Sequence, residues 1–401
     1  MEFHKCSILD VSPQQLAGGA VLVRVDFNVP FEHGVISDDA RIRAALPTIQ
    51  YLIEKQSKVI LMSHLGQPKS PDLAFSLAPV AKRLGELLGQ PVQFVSECVG
   101  EVATAAANAL QPGHVMMLEN VRFYPGETKN DPQFAQALAS LGTLFVQDAF
   151  GTAHRAHAST AGVAAYLPSV SGFLVQKELE FLGNAIQSPQ RPLVAIIGGS
   201  KVSSKIGVLK SMLGKVDTLV IGGGMAFTFF KSMGYEIGKS LCESDKLGEA
   251  AAFLDQAKQT QTRVILPLDQ IVVREFNNDA PSALVDVRSI PADGIGVDAG
   301  PQTVAMVREA VLNAGTVLWN GPLGVFEMSN FAKGTFAVAQ AMAEAKGVTI
   351  VGGGDSASAI AKAGLVDKMT HVSTGGGASL TFLEGHDLPG ISILEDCYVT
   401  R

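Results

Sequence analysis

The chain has 401 residues, of which 47% are hydrophobic and 17% charged, and its formal net charge is −7. This length exceeds one ordinary hydrophobic core and predicts about two domains of roughly 200 residues each. The acidic balance disfavours nucleic acid and anionic membranes as partners, so a bound anion needs a local basic cluster.

The N-terminal segment and the cysteines indicate a cellular compartment. The first residues, MEFHKCSILDVSPQQL, contain no long apolar segment, and no uninterrupted run of about 20 apolar residues follows. The cysteines, Cys6, Cys98, Cys242 and Cys397, lie far apart and form no C-x-x-C pair. We therefore expect neither a zinc site nor a disulfide framework, and a reducing cytoplasmic location.

Short segments rich in Val, Ile and Leu alternate with longer helical patterns such as Leu77–Leu88. This alternation is typical of a parallel sheet covered by helices on both faces, so the predicted fold class is α/β. In the first half the predicted strands are Val21–Val25, Val59–Met62, Val92–Val95, Val115–Leu118 and Leu144–Val146. In the second half they are Leu193–Ile197, Thr218–Ile221, Arg263–Leu266, Thr316–Trp319 and Val348–Val351, with a short strand near His371.

An amphipathic segment, Gly172–Gln187, lies between the two series of strands. Its apolar periodicity predicts a helix, which should end before Ser188 and Pro189. We interpret this helix as the connection between two domains.

Polar and basic residues follow the predicted strands of the first half. A single arginine in such a loop is often a surface salt-bridge partner, and a single histidine is often structural. The carboxyl ends of parallel strands meet at one edge of a sheet, however, so these side chains should converge into a basic pocket. Such a pocket suits a small phosphorylated acid. The residues are Asp26, Asn28, Arg41, Arg43, His64, Arg122, His154, Arg155 and His157.

The strand ends of the second half are rich in glycine instead. One glycine string can serve a tight turn or close helix packing, but four at strand ends favour a nucleotide. The P-loop string GxxxxGK[ST] does not occur among them, and no G-x-G-x-x-G opens a first βα unit. The four strings are IIGGSKVSSK (Ile196–Lys205), LVIGGGMAF (Leu219–Phe227), VGGGDS (Val351–Ser356) and VSTGGGASL (Val372–Leu380).

Two lysines and one aspartate in these strings bear on phosphate binding. Lys201 and Lys205 stand four residues apart, a spacing that places both ammonium groups on one face of a predicted helix. Cations at the positive start of a helix are unfavourable unless an anion compensates, so the pair fits a polyphosphate better than a solvated surface. Asp355 opens a further predicted helix, where it can cap the helix, bind Mg²⁺, or do both.

Nine strings, taken in order along the chain, resemble the motifs of phosphoglycerate kinases. Their agreement runs from about Val21 to Gly385, which makes the resemblance far more specific than any single glycine string. The strings are RVDFNVP, SHLG, LENVRF, DAFGTAHRAH, GGSKVSSK, GGGMA, LWNGPLGVFE, GGGDS and STGGGAS.

The resemblance implies an activity and a domain arrangement. The activity is reversible phosphoryl transfer between ATP and the carboxylate of 3-phosphoglycerate, giving ADP and 1,3-bisphosphoglycerate in glycolysis and gluconeogenesis. Two doubly wound domains are implied, residues 1–171 for 3-phosphoglycerate and 189–385 for Mg-nucleotide, with an interdomain helix at 172–188 and a hinge. The tail, 386–401, should return to the first domain. A cytoplasmic monomer without nucleic-acid or membrane partners is also implied.

The resemblance further implies roles for individual residues. Arg41 and Lys201 should stabilise the transferring phosphoryl group, which the turn Thr374, Gly375, Gly376 and Gly377 should also contact. Asp355 should bind Mg²⁺. The implied substrate residues are Asp26, Phe27, Asn28, Arg41, His64, Leu65, Gly66, Gln67, Arg122 and Arg155. The implied nucleotide residues are Lys201, Lys205, Gly222, Gly223, Gly224, Asn320, Glu327, Gly353, Gly354, Asp355 and Ser356.

Two positions depart from the family pattern. Gln67 stands where an arginine is usual, and Thr381 stands where a glutamate is usual after GGGASL. The loss of the arginine motivates one alternative, a non-catalytic paralogue that binds nucleotide, although Lys201, Lys205, Asp355 and Arg41 argue against it. A second alternative is a kinase of the same two-lobed plan that acts on a different small acid.

Overall fold

The computed structural model describes residues 3–398 and divides the chain into two compact units. One unit runs to Leu179 and resumes at Asp387, and the other covers Glu180–His386. Each unit is built on a six-stranded parallel sheet with helices on both sides. The predicted α/β class is therefore confirmed.

The parallel sheet of the first unit is buried on both faces. Its order is β6-β7-β5-β2-β8-β9. Val21 and Val23 pack in one apolar cluster and Leu22 in another, because successive side chains of a strand point to opposite faces. The elements are β1 (Phe3–Lys5), α1 (Pro13–Leu16), β2 (Ala20–Val25), β3 (Phe31–Glu32), β4 (Val35–Ile36), α2 (Ala40–Glu54), β5 (Lys58–Met62), α3 (Ala78–Leu88), β6 (Val92–Val95), α4 (Glu101–Ala109), β7 (Val115–Leu118), α5 (Pro132–Ala139), β8 (Leu144–Asp148) and β9 (Ser169–Ser171).

The next helix, α6 (Phe173–Gln187), begins against the end of β8. The Asp148 carboxylate accepts a hydrogen bond from the backbone N–H of Leu174 at 2.9 Å. Gly172 makes this approach possible, since a Cβ there would lie 2.2 Å from Asp148 Oδ1. Burial raises the pKa of Asp148 to about 7. The boundary between the two units falls within α6.

The second unit has a parallel sheet of order β12-β11-β10-β16-β17-β18 and a small antiparallel sheet of order β14-β13-β15. Its elements are β10 (Leu193–Ile197), α7 (Ile206–Met212), β11 (Thr218–Ile221), α8 (Ala226–Ser232), α9 (Leu247–Ala257), β12 (Arg263–Ile265), β13 (Asp269–Val273), β14 (Ser282–Asp286), β15 (Ile295–Ala299), α10 (Pro301–Leu312), β16 (Thr316–Asn320), α11 (Lys333–Glu344), β17 (Val348–Gly352), α12 (Gly354–Lys362), β18 (His371–Val372) and α13 (Gly377–Leu383).

The last described segment returns to the first unit. It contains α14 (Pro389–Ser392) and β19 (Asp396–Tyr398), and β19 pairs antiparallel with β1. This pairing joins Cys6 to Cys397 in a disulfide with a Cα–Cα distance of 5.0 Å, so the expectation of no disulfide was wrong. The two cysteines are 391 positions apart, and only the pairing of the end strands brings them together. Cys98 and Cys242 are free.

No helix within residues 3–398 is both long enough and apolar enough to cross a bilayer.

Candidate functional site

Four of the polar residues predicted in the first half, Asp26, Asn28, Arg41 and Arg122, form one connected network at the carboxyl edge of its parallel sheet, whereas Arg43 does not join it and pairs with Asp39 at 2.8 Å. Arg41 Nη1 donates to Asp26 Oδ2 at 2.7 Å, and Asp26 Oδ1 accepts from the backbone N–H of Asn28 at 3.3 Å. Asn28 Oδ1 in turn accepts from the Gly66 N–H at 2.8 Å, and the Gly66 carbonyl accepts from Arg122. Predicted substrate residues from four chain segments are thus brought together.

Phe27 and Leu65 are buried apolar side chains that contribute their backbone to this network. The Phe27 N–H donates to Ser63 Oγ at 2.9 Å, and the Leu65 N–H donates to Asn120 Oδ1 at 3.3 Å. Their positions fix the loops that carry Asp26 and Gly66.

His64 lies at the centre of the cationic groups. Burial lowers the pKa of His64 well below its usual value, and the charges of Arg24, Arg122, Arg41 and Arg155 lower it further. The imidazole is therefore neutral near pH 7. It can accept or donate a hydrogen bond to an anionic ligand without adding a fifth positive charge.

A cavity of 640 Å³ opens beside this network. Desolvation lowers the pKa of Arg122 to about 10, with further contributions from Arg24 and Arg155, which leaves this arginine charged at neutral pH. Desolvation and the neighbouring arginines lower the pKa of His157 to about 4, so this histidine is neutral. The cavity is basic as predicted, and its polar lining includes Gln67, Lys69, Arg122, Lys129, Arg155 and His157.

Three buried polar residues support the cavity and were missed from the sequence. Arg24 donates from Nε to Ser159 Oγ at 2.8 Å and contacts His64 Nδ1 through Nη2 at 3.3 Å. Ser159 Oγ donates to the buried carboxylate of Glu127 at 2.6 Å. A signal for Arg24 existed, since it is the charged residue within the apolar strand AVLVRV. The sequence around Glu127 and Ser159 contains no comparable signal.

The glycine-rich strand ends of the second half converge in the second unit. They follow β10, β11, β17 and β18, which belong to one parallel sheet. Gly223 adopts a φ of 71°, and a Cβ there would lie 2.6 Å from the carbonyl oxygen of Gly199. The loops after β10 and β11 can therefore touch only because this residue has no side chain.

Lys201 and Lys205 do not share a helix face, contrary to the sequence prediction. Helix α7 begins only at Ile206, with Lys205 as its N-cap residue. Serine side chains stabilise turns in the preceding segment, where Ser204 Oγ donates to the Lys201 carbonyl at 2.9 Å and Ser203 Oγ donates to Glu243. Lys201 is exposed on this turn.

Lys205 is directed into the cluster of strand ends. Its ammonium group donates to Asn320 Oδ1, and desolvation lowers its pKa to about 8. Asn320 Nδ2 is buried and has no hydrogen-bond partner among the described residues. Gly353 adjoins this amide, since a Cβ there would lie 3.1 Å from Asn320 Nδ2. The cluster therefore combines a half-buried cation with an unused donor, which suits a phosphate oxygen.

Asp355 is not a helix cap, because Gly353 occupies the N-cap position of α12. The Asp355 carboxylate is exposed, and its charge raises the pKa of Lys205 against the desolvation effect. Ser356 is buried, and its hydroxyl accepts from the Gly321 N–H at 2.5 Å, so it stabilises the loop after β16. Gly354 opens α12. Among residues 3–398, no group of three or more His, Cys, Asp or Glu side chains could hold a metal ion.

A second cavity, of 520 Å³, lies wholly within the second unit. Its lining includes the predicted residues Gly223, Gly224, Glu327 and Asp355, whereas Gly222 donates its N–H to Ile197 O nearby. The apolar part of the lining was not predicted, because it comes from the antiparallel sheet and from loops without polar motifs. These residues are Phe227, Leu241, Phe276, Ile295, Val297, Leu323 and Val325.

The turn Thr374–Gly377 leads from β18 into the short helix α13. Gly376 is the N-cap residue, with φ of 48°, and the Gly375 N–H already donates to Ser373 Oγ at 3.0 Å. This donor is thus not free to meet a phosphate unless Ser373 releases it. Thr381 Oγ1 donates to the Gly377 carbonyl at 3.1 Å, within α13.

A family model described as phosphoglycerate kinase matches residues 11–386. The phosphoglycerate kinase of Dictyoglomus turgidum is 56% identical over 393 residues, covering 98% of this chain and 99% of the relative. That of Thermosynechococcus vestitus is 56% identical over 397 residues, with the same coverage of 98% and 99%.

Two solved structures superpose on the chain. The phosphoglycerate kinase from Coxiella burnetii gives a TM-score of 0.88 at 44% identity, covering 97% of this chain and 98% of its own. The enzyme from Pyrococcus horikoshii OT3 gives a TM-score of 0.84 at 33% identity, with coverage of 97% and 98%. Sequence and fold therefore point to the same relatives.

Proposed function

Because this chain belongs to the phosphoglycerate kinase family, we propose that its two cavities divide the reaction, with 3-phosphoglycerate in the first unit and nucleotide in the second. The chain is a kinase that transfers a phosphoryl group between ATP and 3-phosphoglycerate. A non-catalytic nucleotide-binding paralogue is not favoured at this identity over nearly the full chain.

The observation that carries this division is the placement of cations. In the first unit, several arginine side chains surround the neutral His64 and reach a basic cavity. In the second unit, the cavity lies between glycine turns and an apolar wall. A small acid with a carboxylate and a phosphate needs the first kind of site, whereas a nucleotide needs a flat apolar slot with a phosphate-binding end.

We assign the substrate to the network that runs from Arg41 to Arg122. Arg122 and Arg155 would bind its phosphate from the cavity, while Arg41 would lie near the carboxylate that accepts the phosphoryl group. Asp26 holds the Arg41 guanidinium at 2.7 Å, which fixes its direction before substrate arrives. Asn28, Gly66 and Gln67 complete the site.

We assign the nucleotide phosphates to the cluster of Lys205 and Asn320, with Lys201 on the exposed turn before α7 as a further cation. Gly353 and Gly354 would approach the phosphates closely, and Glu327 would accept from the ribose hydroxyls. The residues fit a magnesium–nucleotide complex, because the exposed Asp355 carboxylate lies near Lys205 and does not cap α12. Mg²⁺ commonly takes one or two carboxylates together with phosphate oxygens, and when bound it neutralises phosphate charge.

The reaction does not require the protein to transfer a proton. The acceptor is a carboxylate that is ionised already, so no general base is required. Catalysis then consists of positioning and charge stabilisation, in which we give Arg41 and Lys201 the main parts. Direct transfer requires the two ligands to meet, and we therefore predict closure of the two units through the α6 segment. A monomeric state and a cytoplasmic location also stay predictions.

One coupled assay tests the activity and the substrate assignment together. ADP formation should require ATP, Mg²⁺ and 3-phosphoglycerate, and glycerate should be a poor replacement because it lacks the phosphate that the basic cavity binds. Equal rates with glycerate would contradict the substrate assignment. Binding of ATP without any turnover would support the non-catalytic alternative.

A further inference from the structure

Gln270 is a buried amide for which the structure offers no partner. It is 3% exposed, lies on β13 and lines the cavity of the second unit. Its side-chain amide makes no hydrogen bond to any residue within 3–398 and is not among the fully enclosed polar atoms, so the amide is accessible from the cavity. A ligand in the cavity is therefore the natural partner.

The direction of Gln270 follows from its neighbours on β13. The preceding residue, Asp269, points to the other side, where its carboxylate accepts from the N–H and hydroxyl of Thr303 at 2.8 and 2.6 Å. Because successive side chains of a strand point to opposite faces, Gln270 lies on the other side of β13 from Asp269, where it lines the cavity.

The other polar side chains of the lining are exposed or already bonded. Ser200, Lys239, Glu327 and Asp355 are exposed. Asp298 is buried, but its two oxygens accept from the N–H groups of Ala299 and Gly334 at 2.9 and 2.8 Å. Gln270 is consequently the buried lining residue that retains both an unused donor and an unused acceptor within the described chain.

The surroundings of Gln270 favour a nucleobase over a phosphate. The glycine turn at Gly199 and the Asp355 carboxylate mark the phosphate end of the cavity, whereas Phe227, Ile295 and Val297 form an apolar wall suited to a flat ring. An amide can bond the amino group and the adjacent ring nitrogen of adenine at the same time.

We propose that the Gln270 amide hydrogen-bonds the polar edge of a 6-aminopurine and determines which base this cavity prefers. The inference rests on the proposed nucleotide role of the cavity. Glycine turns and apolar contacts can bind any flat base, whereas the Gln270 amide distinguishes one base from another.

Calorimetric titration of the full chain with two Mg-nucleotides tests the proposal. ADP should bind about tenfold more tightly than purine riboside 5′-diphosphate, because the analogue lacks the 6-amino group and cannot form that hydrogen bond to the Gln270 amide. Gln270→Met, which has similar size and no amide, should weaken ADP about tenfold and purine riboside 5′-diphosphate only about threefold, because the analogue keeps the ring nitrogen but has no amino group to lose. Gln256→Leu, an exposed glutamine of α9 outside the cavity, should change neither.

The possible outcomes separate the base contact from the site itself. Equal binding of the two nucleotides by the unchanged protein would overturn the proposal, whether or not the Gln270 variant folds. A variant that weakens both nucleotides equally would do the same, because a structural role would not depend on the 6-amino group. Slowed amide hydrogen exchange at Ile221–Phe227 on ADP addition would meanwhile support the nucleotide site, and unchanged exchange there would reject it.

Discussion

The two cavities that we assign to anionic ligands are built in different ways. The cavity of the first unit is lined by charged and polar side chains, and buried Arg24 and Glu127 support it from beneath. The cavity of the second unit depends on backbone packing, since Gly223 and Gly199 touch where no side chain would fit. Substituting one charged residue should therefore alter ligand binding in the first cavity, whereas binding in the second depends on its shape and on a few cations at one end.

The largest effect should come from Lys201. It is exposed on the turn before α7 and makes no ion pair within residues 3–398, so its charge is available to a phosphoryl group. Lys201→Ala should lower kcat by about a thousandfold, because a charge that acts on the transition state is lost, and change Kd for Mg-ATP little. Steady-state kinetics with Lys210→Ala as control checks this. A loss confined to KM would remove Lys201 from the chemistry.

Asp355 should distinguish metal binding from phosphate binding. Because its carboxylate is exposed and caps no helix, Asp355→Ala should weaken Mg-ATP by about tenfold to a hundredfold through loss of an ion contact. Metal-free ATP should bind equally or slightly better, since one negative charge beside the phosphates disappears. Titrations with and without EDTA measure both. Equal weakening of the two forms would mean that Asp355 acts on the loop and not on the metal.

Lys205 should give nucleotide binding a pH dependence that the first cavity lacks. Desolvation places its pKa at about 8, so the unliganded ammonium loses its proton above that pH. Phosphate favours the charged form, and the affinity for Mg-ADP should therefore be constant below about pH 7 and fall by up to tenfold per unit above pH 8. Lys205→Arg, which keeps its charge, should flatten this profile. Retention of the same fall in the arginine variant would assign the titration to another group.

The sequence was most informative where the chemistry is carried by side chains at strand ends. All strands predicted for the two parallel sheets are present, with ends that differ by at most two residues, because buried parallel strands are nearly uniform apolar segments. The connected network from Arg41 to Arg122 also follows from the convergence of strand ends.

What escaped prediction depends on tertiary contacts. The disulfide between Cys6 and Cys397 arises from pairing of the two ends of the chain. The antiparallel sheet that contributes Gln270 and Ile295 was missed because β14 is largely exposed and has no clear apolar alternation. The helix assigned to Lys201 failed because serine hydroxyls compete for the backbone, as Ser204 does here. The sequence alone does not show this competition, because it does not give the positions of the serine hydroxyls relative to the backbone carbonyls.

The smallest predicted effect concerns Gln67, which lines the basic cavity with Arg122 and Arg155 where the family usually has an arginine. Gln67→Arg would add a charge-assisted bond to the substrate phosphate, worth about 1.5–3 kcal/mol when well formed, against roughly half that for a neutral bond. The gain is reduced by repulsion, because the pKa of Arg122 is already lowered to about 10 by desolvation and by Arg24 and Arg155. Lys69 and Lys129 line the same cavity and supply further charge.

We therefore expect Gln67→Arg to tighten 3-phosphoglycerate by about threefold to tenfold, or roughly 0.7–1.4 kcal/mol, without changing KM for ATP. The gain should shrink as salt is added, since the cavity is open to solvent and its charges are screened. Gln136→Arg, which adds the same charge on the exposed face of α5, provides the control for a general electrostatic effect. Titration of both variants with 3-phosphoglycerate at low ionic strength measures the change in affinity. If the Gln67 variant binds no better there, Lys69 and Lys129 already supply the charge that the usual arginine would contribute, and the basic cavity tolerates exchange of its cations.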